Sequence, residues 1–220
     1  MRSLAQCGRD ESRGYHRRMN APLPFPHSNS GVLIVGGGLV GASLAIALDA
    51  AGIAATLVET AAPRADQQPS YDERNLALAR ATVNGLDAIG VWRHAAGRAT
   101  AIRHIHVSRA GEFGSARIDA ARHGVDALGW TLPARELGVA LLRRLDECTR
   151  LTRLAPATLA ALEPLPHGWR AQINSAEGAR SIDTPLLVGA DGTGSFVRAQ
   201  LGIARQRRQL RQRVLGRAHA

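Results

Sequence analysis

The sequence predicts an α/β fold in which helices cover a parallel sheet and antiparallel strands are inserted into the pattern. Three observations lead to this prediction. The apolar stretch Val32–Val35 runs directly into the glycine-rich segment Gly36–Gly41, and helix-forming residues follow. A second β-rich stretch covers residues 54–59. A third apolar stretch, Leu186–Ala190, returns after short alternating stretches between residues 158 and 184 that read as antiparallel strands.

The glycine-rich segment has the spacing of a dinucleotide-binding turn. Gly36, Gly38 and Gly41 fit the pattern G-x-G-x-x-G between a predicted strand and a predicted helix. The first glycine permits a sharp turn, the second lets backbone N–H groups approach a pyrophosphate, and the third lets the helix pack closely on the strand. The N-terminus of the helix then offers free N–H groups to the phosphates. The motif alone does not distinguish FAD from NAD.

An acidic residue ends the predicted second strand. Glu59 lies 18 residues after Gly41. A carboxylate at this place can accept hydrogen bonds from both hydroxyls of an adenosine ribose, and it would repel a 2′-phosphate, which disfavours NADP as a ligand here. The alternative is an ordinary βαβ unit whose glycine turn has only a structural role.

The basic charge is concentrated at the two ends of the chain. The net charge is +10, of which residues 1–31 contribute +3 and residues 205–220 contribute +6, while residues 32–204 are near neutral. The chain has no Lys, so its excess of Arg does not indicate a nucleic-acid partner. Two cysteines, Cys7 and Cys148, make neither a disulfide framework nor a zinc cluster, and they favour a cytoplasmic protein.

The composition divides the chain into three parts. Residues 1–30 read as a disordered leader, residues 31–204 as the folded domain, and residues 205–220 as a basic disordered tail. Within the folded domain, Ile102–Val107 and Phe113–Ile118 predict a hairpin inserted into the α/β pattern.

Two helices are predicted between the glycine motif and the antiparallel strands. One runs from about Ala81 to Ile89 and ends at Gly90. The other opens near Pro133 and carries an apolar stripe made of Leu137, Leu141, Leu142 and Leu145. Arg74 precedes the first of these helices at the junction of a loop and a regular element, where ligand contacts concentrate, although such an arginine is more often simply solvated.

Three motifs stand in order along the chain, and together they resemble a known family. They are Gly36–Gly41 with Glu59, Asp72-x-Arg74-x-x-Ala77-Leu78, and Gly189-Ala190-Asp191-Gly192-x-x-Ser195-x-x-Arg198. This set resembles the FAD-dependent aromatic hydroxylases of the para-hydroxybenzoate hydroxylase type. Segments 102–108 and 132–137 are similar to the ubiquinone-biosynthesis branch of that family. The resemblance covers about residues 31–203.

The resemblance implies a Rossmann-like FAD-binding domain with part of the substrate domain inserted at about residues 100–130. Its implied cofactor-binding residues are Gly36, Gly38 and Gly41 at the pyrophosphate, Glu59 at the ribose, Arg74 and Arg135 near the flavin, and Asp191 and Gly192 in FAD and NAD(P)H binding. It implies no metal, and no residue is singled out as a catalytic acid or base.

The activity implied by the resemblance is that of an FAD-dependent monooxygenase. Such an enzyme takes electrons from NAD(P)H and uses O₂ to hydroxylate a polyprenylated phenol in ubiquinone biosynthesis. It would be cytoplasmic or peripheral at the inner membrane, where it could associate with a biosynthetic complex. A non-catalytic FAD-binding remnant is one alternative. An NAD-dependent dehydrogenase is disfavoured, because a chain without Lys cannot form a Tyr-x-x-x-Lys dyad.

The resemblance ends near Ala204. Members of the family continue there with a larger substrate sheet and a Gly-Asp motif, whereas this chain continues with an arginine-rich run that lacks apolar periodicity. We therefore expect a C-terminally truncated fragment with impaired activity, in which the C-terminal half of the family fold is missing. The alternative is a genuine short flavoprotein with a basic tail.

Overall fold

A computed structural model describes residues 27–29, 31–62 and 72–206. Its strands are β1 (His27–Asn29), β2 (Val32–Val35), β3 (Ala55–Val58), β4 (Asn75–Ala79), β5 (Thr100–Ile102), β6 (His104–Ser108), β7 (Ser115–Asp119), β8 (Gly129–Pro133), β9 (Leu151–Leu154), β10 (Ala157–Leu165), β11 (Gly168–Ser175), β12 (Gly178–Thr184) and β13 (Leu186–Gly189). Its α-helices are α1 (Leu39–Ala50), α2 (Arg80–Ala88), α3 (Trp92–Ala95), α4 (Ala134–Asp146) and α5 (Phe196–Gln200). None of the helices in these ranges is long and apolar enough to cross a membrane.

The centre of the fold is a parallel sheet with the order β13-β2-β3-β9. Alternate residues of β2 point to opposite faces and enter two different cores. Val32 and Ile34 pack in a core that includes residues of α1 and α4, whereas Leu33 and Val35 pack in a core that includes residues of β10, β11 and β12. Because both faces of β2 are covered, its sequence is apolar without interruption.

The second layer is a sheet with the order β1-β12-β11-β10. Strands β10, β11 and β12 pair antiparallel, which confirms the predicted excursion between residues 158 and 184. Strand β1 pairs parallel with β12, with His27 opposite Ser181. For residues 27–29 the predicted disordered leader is therefore corrected to a strand, because β12 offers a free edge. Residues 1–26, with Cys7, and residue 30 lie outside the described part, as do residues 207–220 of the predicted tail.

The remaining strands lie between α1 and β9 in the chain. Strands β4, β8 and β5 form an antiparallel sheet, and β6 pairs with β7 as a separate two-stranded ribbon. Helix α2 ends before Gly90, whose φ of 76° is left-handed, as the predicted helix end requires. On α4, Leu137, Leu141 and Leu145 are buried and Leu142 is half-buried, which confirms the apolar stripe.

The return strand β13 lies beside β2, as predicted, but it is less buried than its apolar sequence indicates. It stands at the edge of the sheet and has one strand neighbour. The side chain of Leu186 is consequently 54% exposed, while Leu187 and Val188 are half-buried. An apolar run identifies a strand from local sequence, but the number of neighbouring strands decides how deeply that strand is buried.

Candidate cofactor site

Gly36, the first glycine of the motif, directly follows β2 and packs against the residues that follow β13. The φ of Gly36 is 103°, and its N–H donates to the carbonyl of Val58 at 2.8 Å. A Cβ atom at Gly36 would lie 2.5 Å from the carbonyl oxygen of Ala190 and 2.7 Å from the backbone nitrogen of Asp191. Both the left-handed conformation and the lack of space require glycine here. The turn therefore contacts the segment that carries Asp191.

The third glycine lets α1 start directly against the turn. A Cβ atom at Gly41 would lie 1.8 Å from the carbonyl oxygen of Gly36. Gly38 precedes the helix, and its carbonyl accepts a hydrogen bond from Ala42 N–H at 3.0 Å. Among the described residues no side chain caps α1, and its first turn has no acidic residue. The first N–H groups of the helix and its partial positive charge are thus available to an anion.

Glu59 directly follows β3 and lies against the glycine turn. Its Oε2 accepts a hydrogen bond from the backbone N–H of Gly37, and its Oε1 accepts one from Ala61 N–H at 2.8 Å and one from the Thr60 hydroxyl at 3.0 Å. The half-buried carboxylate borders a small, largely apolar pocket beside the turn. Its lining residues are Gly37, Leu57, Glu59, Leu142, Leu145, Arg153 and Ala155.

This pocket depends on a strand that the sequence analysis does not predict. Strand β9 pairs with β3, so that Leu154 lies opposite Val58 and its carbonyl accepts a hydrogen bond from Glu59 N–H at 2.9 Å. The strand has four residues and is interrupted by Arg153, whose guanidinium pairs with Asp146 at 2.5 Å. Its sequence therefore lacks a clear apolar pattern, and only the pairing with β3 reveals it.

Asp191 has one engaged carboxylate oxygen and one that is not engaged. Its Oδ2 accepts a hydrogen bond from Val197 N–H in α5 at 3.0 Å. Its Oδ1 is buried and has no hydrogen-bond partner among the described residues. An unpartnered buried oxygen is unfavourable unless a ligand or water supplies a donor. Asp191 therefore binds the first turn of α5, whose N-cap residue is Ser195, and also lies beside the glycine turn.

The surroundings of Asp191 keep its carboxyl group charged. Burial by itself raises its pKa. The Ser195 hydroxyl and the N–H groups of Val197 and Phe196 outweigh this effect and hold the pKa below its ordinary value. The next residue, Gly192, is exposed, has a φ of 76°, and has nothing within 4 Å of a Cβ position. The crevice formed by Gly36–Gly41, Glu59, Asp191 and Gly192 therefore has a carboxylate, that of Asp191, next to open space at Gly192.

A second group, the arginine cluster, consists of Asp72, Glu73, Arg74 and Arg135. Pairing of β4 with β8 places these residues together, and Arg135 N–H donates to the Asp72 carbonyl at 2.9 Å. Arg74 Nε donates to Asp72 at 2.6 Å, and Arg135 pairs with Glu73. The hydrogen bond from Arg74 lowers the pKa of Asp72. These hydrogen bonds tie both arginines to neighbouring acids, not to the glycine turn.

Comparisons with known proteins identify similar chains. A family model described as FAD binding domain matches residues 29–216. Ubiquinone hydroxylase UbiL of Rhodospirillum rubrum is 36% identical over 175 residues, which cover 78% of this chain and 39% of the relative. The 3-demethoxyubiquinol 3-hydroxylase of Escherichia coli is 33% identical over 177 residues, which cover 78% of this chain and 44% of the relative. This chain therefore spans less than half the length of these curated relatives.

Solved structures show the same arrangement of elements. The flavin-dependent monooxygenase PieE, in complex with FAD and substrate, matches with a TM-score of 0.66 and 26% identity, over 81% of this chain and 33% of PieE. Pseudomonas aeruginosa PqsL in complex with 2-aminobenzoylacetate matches with a TM-score of 0.68 and 26% identity, over 83% of this chain and 48% of PqsL. The predicted fold class is confirmed.

Proposed function

Because the chain belongs to the FAD binding domain family, we propose that it carries the FAD-binding part of an aromatic-ring monooxygenase. The proposed reaction is hydroxylation of a polyprenylated phenol in ubiquinone biosynthesis, with NAD(P)H as the electron donor and O₂ as the oxidant. The printed names of the two curated relatives, both ubiquinone or ubiquinol hydroxylases, support this assignment. Within that branch, we propose the activity of a 2-octaprenyl-6-methoxyphenol hydroxylase, which the sequence resembles.

One observation carries the proposal: three separate strands bring their ends to one crevice. Gly36 follows β2, Glu59 follows β3, and Asp191 lies two residues after β13. In open α/β sheets, ligands bind at the carboxyl ends of the strands. An anionic pyrophosphate matches the uncapped start of α1, and the buried Oδ1 of Asp191 lacks the donor that a ligand hydroxyl could supply.

Each residue type at the crevice suits one part of FAD. In this proposal the pyrophosphate binds at the turn formed by Gly36, Gly38 and Gly41, where the first N–H groups of α1 are available to it and no side chain intervenes. The carboxylate of Glu59 accepts from ribose hydroxyls. Arg74 and Arg135 contact the flavin after they break their ion pairs with Asp72 and Glu73. Asp191 and Gly192 complete the crevice. When bound, the flavin supplies the O₂ activation needed for ring hydroxylation.

The proposal also includes a place in the cell. A polyprenylated phenol is lipophilic and resides in a bilayer, so an enzyme that acts on it needs access to the membrane surface. We therefore propose a cytoplasmic protein with peripheral association at the inner membrane or with a ubiquinone-biosynthesis complex.

Titration with FAD tests the cofactor assignment. Quenching of flavin fluorescence should show that the wild-type chain binds FAD in preference to NAD. Glu59→Gln should weaken FAD binding about tenfold, because a charged acceptor is replaced by a neutral one. Glu177→Gln is the matched control, since Glu177 is exposed and lies in the turn between β11 and β12. Equal affinities of these two variants would refute the role of Glu59.

Product analysis tests the reaction. The FAD-loaded chain is incubated with NADH or NADPH, O₂ and a polyprenylated phenol, and mass spectrometry follows the gain of one oxygen atom. FAD binding without this product would favour a non-catalytic FAD-binding remnant. Preferential binding of NAD would favour the dehydrogenase alternative.

A further inference from the structure

Arg153 places a charge on a face of the central sheet that is apolar in the neighbouring strands. In the register it lies opposite Leu57, and both residues line the small pocket beside the glycine turn. On the same face, Ile34 of β2 and Ala55 of β3 are buried in the core that includes α1 and α4. The side chain of Arg153 is only 24% exposed. A charge that is largely withdrawn from water is unfavourable unless it is paired, so the partner of this guanidinium matters.

Two carboxylates lie on the side of the sheet to which Arg153 points. Glu59 follows Leu57 by two residues, so its side chain points to the same face and borders the same pocket as Arg153. Residues offset by two positions on neighbouring strands are within reach of a long side chain. Asp146, the last residue of α4, is the second carboxylate. The structure pairs Arg153 with Asp146 at 2.5 Å and contains no ion pair between Arg153 and Glu59, which are both described residues.

This choice of partner decides how much of Glu59 is available to a ligand. A carboxylate has about four acceptor positions. The N–H of Gly37 uses one at Oε2, and the Ala61 N–H and the Thr60 hydroxyl use two at Oε1. About one position therefore remains, at Oε2. An arginine paired with Glu59 would occupy that position and would also neutralise the charge of the carboxylate.

We propose that Asp146 is a positioning residue for the cofactor site. It holds Arg153 away from Glu59 and so keeps the remaining acceptor position of Glu59 free for a hydroxyl group of the FAD ribose. Asp146 acts through Arg153 and does not itself contact the cofactor. The inference rests on the proposed function for the identity of the ligand, whereas the choice between two ion-pair partners is a property of the chain alone.

The alternative is an ordinary ion pair that links the end of α4 to β9. Asp146 is 70% exposed, and ion pairs of exposed groups contribute little to stability. The two interpretations differ when both partners are removed. If the pair is only a link, the loss of Asp146, of Arg153 or of both has the same effect. If Asp146 restrains Arg153, the loss of Asp146 alone weakens the ligand site, and the additional loss of Arg153 restores it.

Titration of the 220-residue chain with FAD measures this difference. Asp146→Asn should bind FAD about fivefold more weakly, because the freed guanidinium competes for Glu59. Arg153→Gln and the double variant Asp146→Asn/Arg153→Gln should both bind with nearly wild-type affinity. Asp126→Asn is the matched control, since Asp126 is 73% exposed, pairs with Arg80 and lies between β7 and β8. It should leave the affinity for FAD unchanged.

Urea denaturation without FAD tests the exchange of partners itself. While Asp146 is present, Glu59→Gln should lower the urea midpoint by the same amount in the wild-type and the Arg153→Gln backgrounds, because the two side chains do not pair. In the Asp146→Asn background, Glu59→Gln should lower the midpoint more when Arg153 is present, since it then also removes the new ion pair. Circular dichroism checks that each variant folds.

The outcomes separate the two proposals. A double variant that binds FAD as weakly as Asp146→Asn, or an Asp146→Asn variant with wild-type affinity, would overturn the role of Asp146 and leave the proposed function. A wild-type chain that binds no FAD would refute the proposed function, and the urea midpoints would then decide the inference. Equal effects of Glu59→Gln with and without Arg153 in the Asp146→Asn background would overturn it.

Discussion

The crevice at the carboxyl ends of the parallel strands and the arginine cluster are held in place by different means. In the crevice, Gly36 and Gly41 have no room for a side chain, and Glu59 is engaged by backbone N–H groups. In the cluster, the side chains of Arg74 and Arg135 are 73% and 47% exposed and pair with neighbouring acids. The crevice is therefore set by main-chain packing and the cluster by exchangeable ion pairs.

This difference separates effects on folding from effects on binding. A change at Gly36 or Gly41 alters the contact between β2, α1 and β13, so it should affect both stability and FAD binding. Exposed ion pairs contribute little to stability, because water screens them and their side chains lose entropy when they pair. A change in the arginine cluster should therefore affect FAD binding and leave stability unchanged.

The largest effect is expected for Gly41→Ala. The added Cβ would lie 1.8 Å from the carbonyl oxygen of Gly36, so the turn or α1 must shift. We expect a loss of about 3 kcal/mol or more in the free energy of unfolding and loss of FAD binding. Urea denaturation and FAD titration measure the two quantities.

Gly85→Ala is the control for this change. Gly85 also lies in a helix, but its Cβ position has nothing within 4 Å. Alanine should therefore stabilise α2 by about 0.5 to 1 kcal/mol through helix propensity. A Gly41→Ala variant as stable as wild type would show that the crevice is not set by main-chain packing.

The next effect concerns the two oxygens of Asp191. Asp191→Asn can still accept the hydrogen bond from Val197 N–H, so the apo protein should melt near the wild-type temperature. Asp191→Ala removes this hydrogen bond, while Ser195 still caps α5, and should cost about 1 kcal/mol. Both variants should bind FAD at least tenfold more weakly, because the charged oxygen is lost. Wild-type FAD affinity in both would leave Asp191 with a structural role at the start of α5 only.

A smaller effect is expected in the pH dependence of stability. The pKa of Asp191 is lowered in the folded protein from an ordinary value of 3.8. Its ionised form therefore stabilises the fold above pH 3.8, and this contribution disappears as the pH falls below that value through the folded pKa. Asp191→Asn lacks the titrating group.

Urea denaturation at pH 7 and near pH 3 measures this dependence. At the lower pH, the unfolding free energy of the wild type should fall relative to that of Asp191→Asn. Other carboxyl groups titrate equally in both proteins and cancel from the difference. A difference that stays constant with pH would contradict the lowered pKa.

The smallest effect on stability is expected in the arginine cluster. Arg74→Gln and Arg135→Gln should melt at the wild-type temperature, because both side chains are largely exposed. Each should still weaken FAD binding a few-fold if the arginine turns to the flavin. Arg98→Gln is a matched control, since Arg98 is 75% exposed and its Nε lies 4.0 Å from Glu136 Oε2, beyond hydrogen-bond distance. A large drop in melting temperature would show that the cluster is part of the folding core.

The sequence by itself determined the local units of this protein. The unbroken apolar run of β2, the glycine spacing after it and the leucine stripe of α4 each depend on residues close together in the chain. The ribbon also follows from local β-forming stretches on both sides of Gly111. The glycine turn and Glu59 could be placed for the same reason, since strand, turn, helix and strand are consecutive.

Only the tertiary structure decided which distant segments meet. It placed β9 beside β3, paired β1 with β12 and left β13 at an edge. It also put Asp191 against Gly36, with its Oδ2 bound to the first turn of α5. It also showed that Arg74 and Arg135 pair with acids from neighbouring segments. Pairing over long sequence distances leaves no periodic signal in short strands such as β9, because partners, not propensity, set the order of a sheet.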